Sequence, residues 1–137
     1  MSSGRDKMIT ALKGIVVPKL REKGFKGSFP HFRRISDEKI DLITFQFDRY
    51  GGGFFIEVAA CSPEGFTHSW GEKVPPNKVT AHDLHPDDRL RLNDKGGQWF
   101  RYDIENATEN IYENVANEVL YHLYEAEEHW HKSNNSY

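Results

Sequence analysis

One cysteine, Cys61, is all the sulfur chemistry this 137-residue sequence offers besides two methionines. A lone cysteine excludes an internal disulfide and any zinc site of the cysteine-rich kind. No apolar run approaches the roughly 18 residues that span a bilayer, and no charged-then-apolar leader opens the chain. These absences predict a cytoplasmic protein without a membrane partner. No Gly-x-Ser-x-Gly elbow, Walker loop or Gly-x-Gly-x-x-Gly helix opening occurs, which removes the signatures of serine hydrolases and common nucleotide folds. The His-Glu-x-x-His helix of metalloproteases is absent as well. No catalytic residue, resident metal or cofactor is therefore assigned.

Basic residues are scarce in one half only. Residues 1–49 carry 11 Lys/Arg against 6 Asp/Glu, and residues 50–137 carry 7 against 15, within a net charge of −3. A nucleic-acid binder needs a concentrated basic face to release counterions, so nucleic acid is not expected as a partner. Arg33, Arg34 and the basic N-terminal segment are the one place such a face could form. Hydrophobic residues at 37% and aromatic residues at 13% supply a core and argue against disorder. The length suits one domain, 1–137, with an ordered part of about 6–132.

What is present reads as a mixed α+β chain. Met8, Leu12, Ile15, Val16 and Leu20 recur at helical spacing and predict a helix over 6–23, kinked or restarted at Pro18 and stopped by Gly24. Strand-like text runs from Gly27 to Arg34, where Pro30 suggests an edge or bulge. Ile43, Phe45 and Phe47 alternate with polar residues, Tyr50 to Gly53 forms a turn, and Phe54, Ile56, Val58 and Ala60 alternate in turn. Residues 62–88 lose all periodicity and read as a long loop of the functional or mobile kind. Arg89–Leu92 and Gln98–Tyr102 read as short strands joined in a hairpin through Asn93 to Gly97. A final helix over 107–132 buries Ile111, Val115, Val119, Leu123, Ala126 and Trp130, with Asn106 or Thr108 as its cap. Its residues 133–137 should fray. The whole predicts two layers: an antiparallel sheet of about five strands packed by an N-terminal and a long C-terminal helix. The first helix is basic and the last acidic, so the two are expected side by side.

Three groups of residues invite a chemical reading. His82, His85 and Asp87 form the densest cluster of ligand types, which would suit a metal-assisted hydrolase if a helical turn brought them together. His129, His131 and His122 sit on the last helix, where cations near a C-terminus are favourable without any further role. Cys61 reads as a buried, inert thiol. Strand alternation sends Arg89, Arg91, Trp99 and Arg101 to one face and Leu90, Leu92, Phe100 and Tyr102 to the other. Arg and Trp are enriched at binding hot spots, and His68 and Trp70 could overhang the same region. These six, His68, Trp70, Arg89, Arg91, Trp99 and Arg101, are the candidate partner-binding residues.

The order of landmarks also carries a resemblance. Leu20-Arg21-Glu22-Lys23-Gly24-Phe25-Lys26 is followed by Phe29-Pro30-His31-Phe32-Arg33-Arg34 and by Asp41-Leu42-Ile43-Thr44-Phe45-Gln46-Phe47. After the glycine turn come Phe54-Phe55-Ile56-Glu57-Val58, then Arg89-Leu90-Arg91-Leu92 and Trp99-Phe100-Arg101-Tyr102. From about Met8 to Leu123 the chain resembles the bacterial domain-of-unknown-function family numbered 4304. That resemblance implies an antiparallel sheet with helices packed against it, and it supplies no catalytic residues. Small α+β immunity proteins of bacterial toxin systems are the analogy such a domain invites, at the level of fold alone. The expected function is a non-enzymatic protein- or peptide-binding module, with the His82/His85/Asp87 hydrolase as its alternative.

Overall fold

The N-terminal apolar stripe folds as α1, Gly4–Glu22, in a computed structural model that describes residues 4–93, 96–104 and 108–133. Met8, Leu12, Val16 and Leu20 are fully buried along it, with Ile15 at the margin. The helix passes through Pro18 as one element, because burial of this stripe on both sides of the proline outweighs one missing donor. Gly24, at φ 97°, then turns the chain, and the Phe25 N–H returns to the Leu20 carbonyl at 3.0 Å.

The stretch expected as one strand is a hairpin: β1, Lys26–Ser28, and β2, His31–Ile35, joined by Phe29 and Pro30 across a cis bond. β3, Ile40–Phe47, and β4, Gly53–Cys61, pair antiparallel over their full length, with Ile40 opposite Cys61 and Phe47 opposite Phe54. The sheet order is β1-β2-β3-β4, closed at its far edge by two short strands that both pair with β4.

Those two strands are not a hairpin. β7, Leu90–Arg91, lies against Glu57 and Val58, while β8, Phe100–Arg101, lies against Gly53 and Phe54. They pair with the same edge of β4 at different positions along it. The nine steps from Arg91 to Phe100 advance only three positions along β4. Asn93 takes a turn conformation, at φ 61°, yet β7 and β8 each pair with β4 and not with each other. Asp94 and Lys95 of the expected turn, and the Asn106 cap, lie outside the described residues.

α2, Ile111–Ser133, packs beside α1 on one face of the sheet. Between them and the strands lies the main core, with Phe32, Phe45, Phe54, Phe100 and Trp130 at its centre. Trp130 anchors the end of α2: its indole N–H donates to the carbonyls of Leu42 (3.2 Å) and Ala59 (3.0 Å). Beside it Arg34 bridges Asp41 and Glu127, and Lys23 of the α1 end reaches Glu127 at 3.4 Å. The basic and acidic helices therefore do meet side by side.

The segment expected as an unstructured loop covers part of the opposite face. It forms a small hairpin of β5, Phe66–Thr67, and β6, Lys73–Val74, followed by two single-turn 3-10 helices, Ala81–Asp83 and Pro86–Asp88. Val79, Ala81 and Leu84 close a second core over Ile40, Leu42, Ala59 and Cys61. Proline and glycine hid this layer from any periodicity, since its burial comes from isolated apolar residues between turns.

Candidate functional site

Alternation along β4 sorts its side chains by face. Phe54, Ile56, Val58 and Ala60 enter the helix-side core, which leaves Phe55, Glu57, Ala59 and Cys61 on the other side. Ala59 and Cys61 lie under the 62–88 layer. Glu57 lies at the margin of that cover, and Phe55 beyond it.

Glu57 is 5% exposed. His82 Nε2 approaches its Oε1 at 3.2 Å, Arg89 Nη1 approaches the same oxygen at 3.4 Å, and Arg91 Nε lies 3.7 Å from Oε2. Burial lowers the His82 pKa, while the attraction of Glu57 raises it and Arg89 lowers it further. With the net shift downward, the imidazole is neutral at neutral pH and donates its Nε2–H to the carboxylate. The two guanidiniums supply the countercharge.

His31 stands edge-on to His82, with ring centroids 6.0 Å apart, and its Nδ1 is 3.0 Å from the Thr44 hydroxyl. Its pKa is also lowered, first by burial and then by His82 and Arg33. Arg33 Nε donates to the Val79 carbonyl at 3.0 Å. Arg89 is the strut of this region: it donates to the carbonyls of His82 and Leu84, both at 2.7 Å from Nη2, and so ties the 3-10 turns to the sheet.

Beyond Glu57 the same sheet face carries a strip of cation–aromatic contacts, with Phe55, Arg91 and Trp99 partly buried and Arg101 exposed. The Arg91 guanidinium lies 3.8 Å above the Phe55 ring. Phe55 meets Trp99 edge to face at 5.2 Å, and the Arg101 guanidinium lies 5.3 Å from the Trp99 ring. Gln46, exposed on β3, faces Phe55 across the ladder. Four of the six residues singled out from the sequence, Arg89, Arg91, Trp99 and Arg101, thus share one face, although Arg89 is engaged within the chain. His68 and Trp70 form their own stacked pair, 4.3 Å apart, held by His68 on Asp83 at 3.2 Å. Trp70 is 72% exposed there.

Glu57, Phe55, Gln46 and His31 were missed in the sequence. A charged residue between Ile56 and Val58, in an otherwise apolar run, was the available signal for Glu57.

The other candidates resolve differently. His82 turns inward to Glu57, whereas His85 is largely exposed and its Nδ1 accepts the Asp87 N–H at 3.1 Å. His82, His85 and Asp87 are not brought into one donor set, and no group of three ligating side chains gathers among the described residues. Cys61 borders a cleft of about 630 Å³ shared with Leu84, Asp87, Asp88 and His129. Burial, with Asp83 and Asp41 nearby, pushes its thiol up to about 11, so it stays protonated and unreactive at neutral pH. His122 pairs with Glu125 on α2, as a satisfied residue at the core margin.

A helix pair on one face of an antiparallel sheet, with a stacked arginine–aromatic strip on the other, defines a two-layer α+β domain. The chain belongs to the family described as Domain of unknown function (DUF4304), whose model matches residues 16–132. No match was found among the curated proteins or among the solved structures. No helix among the described residues is long and apolar enough to cross a membrane.

Proposed function

We propose that this chain is a non-enzymatic protein- or peptide-binding module of the bacterial cytoplasm, and that its partner seats on the sheet face around Arg91, Phe55, Trp99 and Arg101. The observation that carries this is the strip itself. Two guanidiniums over two aromatic rings, on the sheet face opposite the helices, have the composition of an interface centre. A role like that of small immunity proteins in toxin systems fits such a module, by analogy of fold.

The test is selection from an unbiased displayed library of peptides and small domains, with counter-screening against Trp99→Ser/Arg101→Glu. Binders that enrich on the native chain and lose the double variant are the expected result. Enrichment of binders that hold the variant equally well would place recognition elsewhere and end this reading.

A further inference from the structure

Three side chains at the β4 edge stand on the sheet face opposite the helices at strand spacing. Arg91 is opposite Glu57, and Arg101 is opposite Gly53. Trp99 precedes Phe100, the partner of Phe54, and so comes level with Phe55, whose ring it touches. The three therefore follow β4 at steps of two residues, each about 6.6 Å, which sets the two arginines about 13 Å apart at the backbone. An extended peptide laid along the strip presents its own alternate side chains at that spacing.

Charge selects what those side chains are. Cation–π contact holds the Arg91 and Arg101 guanidiniums over Phe55 and Trp99, at 3.8 and 5.3 Å, and a guanidinium so placed can grip a carboxylate with two parallel bonds. The chain's own carboxylates stand slightly too far to do so. Glu57 is 3.7 Å from Arg91, while Asp103 and Asp48 are 3.7 and 4.0 Å from Arg101, longer than hydrogen bonds.

We infer that the strip binds an extended acidic segment of a partner protein. Carboxylate side chains at positions i and i+4 engage Arg91 and Arg101, and an apolar side chain at i+2 rests on Trp99 and Phe55. This rests on the binding reading above and adds the chemistry of the partner. Gln46 is placed to meet the backbone of the same segment.

The experiment is calorimetric titration of the native chain with three synthetic peptides. One carries Glu-Thr-Leu-Thr-Glu, one Lys-Thr-Leu-Thr-Lys, and one Glu-Thr-Thr-Leu-Glu, which moves the leucine to the other side of the extended chain. The first is expected to bind, the second to show no heat of binding, and the third to bind more weakly. Arg101→Ala is expected to weaken the first by roughly tenfold, the loss of one charge-assisted grip. Arg91→Lys, which keeps the charge and loses the stacked plane, should weaken it as well. Arg101 is 44% exposed at its side chain, so its variant keeps a folded control even if changes at Arg91 do not. Absence of binding by the first peptide, or equal binding to native and Arg101→Ala chains, would overturn the inference. Library binders that map to this face yet are basic would remove the acidic partner while leaving the binding module standing.

Discussion

Glu57 has three cationic or donor groups around a carboxylate that water scarcely reaches, and all come from the stretch His82 to Arg91, far from Glu57 in sequence. Its charge is matched by Arg89 and Arg91, and its remaining hydrogen-bonding capacity by the neutral His82 ring. Removing one partner of a buried ion cluster costs more than the cluster itself contributes, because the others stay desolvated. Glu57→Ala would leave Arg89, 17% exposed, with no carboxylate within ion-pair range among the described residues. A loss of about 3–5 kcal/mol in urea unfolding is expected for it, with a smaller loss for Glu57→Gln, which keeps an acceptor and the volume. A loss under about 1 kcal/mol for the alanine variant would mean the cluster is not coupled to folding. Such a carboxylate is half legible from sequence. Its position in an apolar run marks it as exceptional, but nothing local tells that residues 82 and 89 will meet it.

Among elements, the 62–88 segment departs most from what its text suggested. Strands β3 and β4 were readable because Ile43–Phe47 and Phe54–Ala60 alternate over five and seven residues, and the helices because their stripes repeat over three turns or more. The 62–88 layer has no period at all. It is held by single apolar residues, Val79, Ala81 and Leu84, that touch the sheet between turns. Its hairpin depends on Gly65, at φ 102°, where a side-chain carbon would also run into the Val74 carbonyl oxygen. Both the conformation and the space exclude alanine. Gly65→Ala is therefore expected to lose about 1–3 kcal/mol in denaturant unfolding. It should also speed hydrogen exchange at the Val79 amide, which now donates to the Pro75 carbonyl at 3.1 Å. Unchanged exchange there would show that the layer does not depend on the hairpin. The same absence of period explains why β7 and β8 were read as a hairpin: turn residues announce a reversal without saying which strand receives the chain.

At the scale of the whole molecule, the second sheet face and the end of α2 share one electrostatic property that no single element displays. His31, His82 and His129 all have pKa values pulled below 6.5. Burial is the first cause in each. Around His31 the balance is then set by His82, Arg33 and Asp83, and around His82 by Glu57, Arg89 and Asp83. Around His129 it is set by the Asp88 backbone, Lys132, Lys39 and Asp41. The sequence showed His82 and His129 only as members of polar clusters and His31 only within a strand-like run, since their burial depends on the 62–88 layer and α2 closing over the sheet. A histidine with a lowered folded pKa takes up its proton more readily once unfolded. Its stabilising contribution is complete above 6.5 and is lost as pH falls through that value toward the folded pKa. The three shifts have the same sign, so their effects add. The midpoint of urea unfolding should therefore fall between about pH 8 and about pH 5.5, above the range where carboxylates titrate. His31→Gln, which leaves the Glu57 cluster intact, should flatten that fall. A midpoint that holds steady or rises over this interval would mean that the three imidazoles are hydrated in the folded chain.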